Sequence, residues 1–170
     1  FVPDGDYATF IEQYTGEASK PGDFVDKEGK VLGRHKGQIH YTIGQRRGLG
    51  IAAPESLYVC GKSLDTNKVI LGGKDDLMSN YCYINDINLI PWDHLDKPIQ
   101  CKVKTRYRQP EQPATVEQLG EDLIRITFQE PQRAVTPGQA AVLYDGDMVL
   151  GGGTILSEEA AQTLCKINEK

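Results

Sequence analysis

The sequence predicts a mainly β protein: a small β-rich domain opened by a short helix, then a six-stranded antiparallel β-barrel. Three observations carry that reading. The 170 residues include 18 glycines and 9 prolines, above the roughly 12% of positions usual for the pair, which favours many turns and short strands. Apolar residues alternate along most of the chain after Gly22, the period of a half-buried strand. Clusters of Asp, Asn and Gly then cut these runs into short pieces.

Element by element, Tyr7, Phe10, Ile11 and Tyr14 fall at i, i+3, i+4 and i+7, which predicts one buried face of a helix capped by Asp6 and ended by Gly16. Asp26-Lys27-Glu28-Gly29 reads as the turn of a hairpin between Phe24-Val25 and Val31-Leu32. A second hairpin joins 58–62 to 68–71 around Asp65-Thr66-Asn67. The first domain then closes near residue 78. Six strands follow at 82–90, 99–108, 113–119, 122–128, 139–144 and 147–151, with tight turns at Gly120-Glu121-Asp122 and Asp145-Gly146-Asp147. Closing them into a barrel removes the edges that such short strands expose. Gly151-Gly152-Gly153 reads as a bend or bulge. The domains are thus 1–78 and 79–157, with 158–170 a tail in which 158–165 can form a last helical turn.

The formal charge of −5 argues against a uniformly basic nucleic-acid wrapper, yet it averages over two basic segments. Residues 31–50 carry Arg34, Lys36, Arg46 and Arg47 and no acid. Residues 99–110 carry Lys102, Lys104, Arg106 and Arg108 and no acid. On a strand those four cations project from one face beside Tyr107, an arrangement that suits an anionic polymer. The solvated outer face of a barrel strand has the same spacing.

Little else in the chain suggests an engine. Cys60, Cys82, Cys101 and Cys165 form no Cys-x-x-Cys pair and read as structural or incidental thiols in a reduced, cytoplasmic setting. His35 and His40, five apart, suit neither a helical nor a strand ligand pair, so no metal site is expected. Gly48 to Ala53 matches a dinucleotide fingerprint in letters only: no buried strand precedes it, and Pro54 stands where its helix would begin. No apolar run approaches the roughly 18 residues that span a bilayer, so no membrane association is expected.

Taken in order, His35-Lys36-Gly37, Tyr41 to Ile51, Thr105-Arg106-Tyr107-Arg108-Gln109, Ala134 to Val142, Tyr144 to Asp147 and Leu150 to Ile155 closely resemble the C-terminal portion of the tRNA-specific 2-thiouridylases, the MnmA/TrmU family once labelled tRNA methyltransferases. The resemblance runs from Phe1 to about Ile155, and residues 157–170 show none. It implies a parent enzyme in which ATP, with magnesium, adenylates the C2 oxygen of the wobble uridine (U34), and a persulfide sulfur then attacks C2 as AMP leaves. Residues 1–78 become the family's central domain. The catalytic ATP-pyrophosphatase domain and its cysteine are expected upstream. The chain opens Phe1-Val2-Pro3 without an initiator Met, like the tail of a family string whose catalytic cysteine stands just before Phe1. No catalytic residue is therefore expected in this chain, nor activity from it alone. Its implied role is to hold the anticodon arm of tRNA beside the parent's ATP-pyrophosphatase domain, with a sulfur-relay protein as donor.

Family tRNA contacts carry over to Arg106, Tyr107 and Gln139. Lys104, Arg108, Lys36, Arg46 and Arg47 are the further candidates for phosphate contact. Each has an alternative: Arg106 paired with an acid such as Glu130, Tyr107 a core aromatic, Gln139 a stabiliser of the turn at Pro137-Gly138. Lys36, Arg46 and Arg47 could face the missing domain instead. Two rival functions are a free-standing RNA-binding or translation-factor-like barrel and an S-adenosylmethionine-dependent tRNA methyltransferase.

Overall fold

The computed structural model describes residues 7–168. The helix cap expected at Asp6 and the opening Phe1-Val2-Pro3 lie outside them. The chain divides between Leu77 and Met78 into two compact units.

In the first unit, α1 (Tyr7–Thr15) ends at Gly16, whose left-handed φ of 71° and 2.9 Å bond from its N–H to Glu12 O stop the helix as expected. The face predicted to be buried is exposed. Tyr7, Phe10 and Ile11 lie open to solvent and Tyr14 is 84% exposed, while Ala8 is the buried residue. The helix attaches by its other side, where Glu12 accepts the Ser19 N–H at 2.8 Å. Apolar periodicity marks a face without naming what covers it.

Strands β1 (Gly22–Val25) and β2 (Val31–His35) form the first predicted hairpin. Asp26 closes its turn by accepting from Gly29 through its carbonyl and from Lys30 through its carboxylate at 2.8 Å. Strands β3 (Tyr58–Ser63) and β4 (Lys68–Gly72) form the second. The sheet order is β2-β1-β4-β3, and its β1–β4 pairing is parallel. Local hairpin signals do not encode that pairing, which joins residues some 45 positions apart. Asn67, at φ 49°, anchors it: its amide donates to Lys20 O and Pro21 O, and His35 Nε2 lies 3.1 Å from its carbonyl. Phe24, Tyr41, Leu49, Val59, Val69 and Leu71 make the core.

The second unit is a closed antiparallel barrel of six strands, as the sequence predicts. They are β5 (Met78–Leu89), β6 (Ile99–Lys104), β7 (Gln112–Gly120), β8 (Leu123–Arg133), β9 (Ala140–Asp145) and β10 (Met148–Ile155). Their order around the barrel is β10-β5-β8-β7-β6-β9. Alternate residues such as Ile84, Val103, Val116, Ile126 and Leu143 point inward and fill it. The triple glycine lies in β10, where register shifts mark bulges on both sides. A Cβ at Gly151 would press on the Asn88 carbonyl, and one at Gly152 on the Ala141 carbonyl. Glycine is needed there because backbone meets backbone.

Two expectations change. The strand predicted over 99–108 stops at Lys104, and residues 106–109 turn instead, with Gln109 N–H on Arg106 O at 3.1 Å. The four cations therefore do not form one strand stripe; only Lys102 and Lys104 share the outer face of β6. The tail expected from residue 158 holds α2 (Glu158–Asn168), capped by Ser157 Oγ, which accepts the Ala160 N–H, and seated through Ala161. Among the described residues no helix is long and apolar enough to cross a membrane.

Candidate nucleic-acid interface

Where β6 ends, Arg106, Tyr107 and Arg108 offer no apolar side chain that could bury itself in the core. Side-chain hydrogen bonds hold the turn in place of packing. Thr105, only 2% exposed, donates its hydroxyl to Gln109 Oε1 at 3.1 Å. Gln109 Nε2 donates to Gln132 Oε1 at 2.7 Å, and Gln132 Nε2 donates to Glu130 O at 2.7 Å. Each bond runs in the same direction, and both ends of each amide are engaged. Gln132 is 6% exposed, so water is a poor substitute partner.

Arg106 fastens the same turn to the loop after β8. Its Nη2 donates to Ala134 O at 2.6 Å and to Thr136 Oγ1 at 2.8 Å, and Thr136 Oγ1 also donates to Ala134 O. Glu130 is not its partner. These charge-assisted bonds accompany a left-handed Ala134, at φ 54°, a conformation that costs an Ala roughly 1–2 kcal/mol. Further on, Gly138 N–H bonds Ile155 O, and Ile155 N–H bonds Gln139 O, both at 2.8 Å. Gln139 is thus pinned by its backbone to the end of β10 while its side chain stays exposed.

Tyr107 is 93% exposed, which removes it from the core. It is an open aromatic between two arginines on a turn whose backbone is tied down on both sides. Arg108 and Lys102 are exposed and Lys104 half-buried, and among the described residues none of the three forms an ion pair. Arg106, Tyr107, Arg108 and Gln139 are thereby presented by two loops joined through one guanidinium.

Lys36, Arg46 and Arg47 belong to the first unit and are exposed. Their segment is shaped chiefly by backbone. Gly44 N–H bonds Val59 O and Val59 N–H bonds Gln45 O, while the Gln45 amide bridges Thr42 N–H and Arg47 O. Gly48 to Ala53 continue into an irregular loop instead of a helix, so the fingerprint-like letters make no phosphate cradle.

Buried thiols are poor nucleophiles. Burial pushes Cys82 up to about 12 and Cys60 and Cys101 each up to about 11, leaving all three protonated at neutral pH. Among the described residues no group of three His, Cys, Asp or Glu is placed to hold a metal ion. Of the residues that hold the turn, Thr105 and Gln109 lie within the Thr105-Arg106-Tyr107-Arg108-Gln109 string, whereas nothing in the local sequence marks Gln132.

Residues 79–155 match the family described as aminomethyltransferase beta-barrel domain, and residues 8–73 match the tRNA methyl transferase PRC-barrel domain. The tRNA-specific 2-thiouridylase MnmA of Carboxydothermus hydrogenoformans is 46% identical over 91% of this chain and 42% of its own length. That of Acetivibrio thermocellus is 47% identical over 91% and 43%, and that of Clostridioides difficile 43% identical over 91% and 43%. The chain spans less than half the length of these relatives.

Proposed function

We propose what this chain does from one premise: it belongs to the tRNA-specific 2-thiouridylase family. Its role is to bind tRNA and position the anticodon arm, so that the wobble uridine (U34) reaches a catalytic centre elsewhere in the parent enzyme. The observation that carries this is Tyr107, almost fully exposed on a turn fastened by side-chain hydrogen bonds. An open ring costs solvation unless something covers it, and an unpaired base has the matching flat face. Arg108, Lys104 and Lys102 meet phosphates, Gln139 offers its amide to a base edge or sugar, and Arg106 acts mainly by holding the two loops together. Lys36, Arg46 and Arg47 add phosphate contacts from the first unit.

ATP with magnesium, the persulfide donor and the ATP-pyrophosphatase domain belong to steps that the described residues do not fit. The Gly48 to Ala53 segment opens no helix, and three of the thiols are held protonated. The chain alone, given ATP, a sulfur donor and tRNA, forms no 2-thiouridine above background.

The deciding experiment is fluorescence anisotropy with a labelled anticodon stem-loop. Affinity falls steeply as salt rises, because cation–phosphate contacts release counterions, and Tyr107→Ala weakens binding by about 1–3 kcal/mol. Binding that ignores both salt and Tyr107 would sink the proposal.

A further inference from the structure

We propose that Gln109 and Gln132 are positioning residues, holding the turn that bears Tyr107 in its RNA-stacking shape before RNA arrives; this rests on the RNA-binding role proposed above. Tyr107 has no hydrogen bond or ring contact of its own among the described residues. Its presentation is inherited from the backbone of 105–109. That backbone has no apolar anchor between Thr105 and Gln109, and β6 no longer supports it beyond Lys104. Besides the turn's own Gln109 N–H to Arg106 O bond, it is held on one side by the relay from Thr105 through Gln109 and Gln132 to Glu130 O. On the other it is held by Arg106, clamped to Ala134 and Thr136.

Left loose, a turn of this length loses conformational entropy when RNA orders it. Held in advance, it binds without that loss. The relay suits the task because Thr105 and Gln132 are buried and its donors run one way. Gln109 cannot rotate its amide without setting its oxygen against Gln132 Oε1, because the Gln132 amide nitrogen is held by Glu130 O. The tip stays free of protein contacts and open to a base.

Gln109→Leu tests this, since it deletes both amide bonds at a half-buried position and keeps the bulk. The expected result is about tenfold weaker binding of the anticodon stem-loop and faster backbone motion at 106–108 in RNA-free 15N relaxation. In a Tyr107→Ala background the same change has almost no further effect, because the relay acts through that ring. Thr105→Val behaves like Gln109→Leu, whereas Thr105→Ser, which keeps the hydroxyl, behaves like the unaltered chain. A lowered melting temperature with unchanged affinity overturns the proposal, as does an equal loss with and without Tyr107. If the unaltered chain fails to bind the stem-loop, the RNA-binding role falls and this proposal falls with it. If that chain binds and Gln109→Leu binds equally well, this proposal alone is lost.

Discussion

In the barrel, Arg106, Gln109 and Gln132 tie one basic loop to its neighbour through their side chains; in the first unit, the basic loop after β2 takes its shape from backbone. Gly37, Gly44, Gly48 and Gly50 all have positive φ there, with side-chain bonds from Gln45 within the turn and from Ser19, His35 and Gln38 nearer β2. Both segments are acid-free and carry four cations. Their charge is alike, yet one is a clamped turn presenting an aromatic ring and the other a glycine-shaped loop presenting charge alone. The first suits a directional contact with a base, the second a forgiving contact with phosphates. The open ring of Tyr107, more than charge, distinguishes them.

The largest expected effect would break the barrel side of this contrast. Gly152→Val drives a branched side chain into the Ala141 carbonyl and should destabilise the second unit by about 3 kcal/mol or more, measured by urea denaturation. Gly138→Ala, with nothing within 4 Å of its Cβ, pays only for its φ of 80° and should cost roughly 1 kcal/mol.

Next in size are the contacts themselves. Tyr107→Ala should lower stem-loop affinity by about 1–3 kcal/mol and leave the melting temperature unchanged, because the ring buries almost nothing. Arg47→Ala should weaken binding less, evenly across RNA sequences, and reduce the slope of log affinity against log salt by about one. A strongly sequence-dependent loss at Arg47 would erase the distinction between the two loops.

The smallest effect separates the units by pH. Burial lowers the pKa of His35 below its ordinary 6.5, and its Nδ1 accepts the Gly37 N–H at 3.0 Å, which only the neutral ring can do. The folded pKa being the lower one, stability of the first unit is full above about 6.5 and declines as pH falls towards the folded value. Protection factors, that is exchange corrected for its intrinsic slowing in acid, should therefore fall at Phe24 and Val69 in mild acid while that at Ile126 does not. His35→Gln should flatten the response.

Much of the fold was legible because turn chemistry is local. Asp26 to Gly29 and Asp65 to Asn67 close their turns with local hydrogen bonds and Gly146 takes the left-handed φ of 57° between Asp145 and Asp147, so the hairpins and the six barrel strands could be read directly. What was illegible depends on distant partners. The parallel β1–β4 pairing needs Asn67 to meet Lys20 and Pro21. The end of β6 at Lys104 needs Gln132 and Ala134 to capture the next five residues. The exposed face of α1 has the periodicity of a buried one, and spacing cannot say whether a cover exists. For the site, the motif strings pointed to Arg106, Tyr107 and Gln139, but the bonds of Arg106 Nη2 to Ala134 and Thr136 and the relay behind it left no trace in local pattern.

The barrel is sealed by β5 and β10, its first and last strands, paired from Gly151 with Leu89 to Ile155 with Ile84. Synthesis therefore delivers one lip of the seam long before the other. Until Met148–Ile155 emerges, β5 keeps one edge unpaired, and closure must join residues roughly seventy positions apart, a slow, non-local step. Hairpins can form and re-form in the meantime, but the sheet becomes a cylinder in a single late event. A nascent chain stalled before β10 would leave the ribosome with an open edge ready to pair with a neighbour.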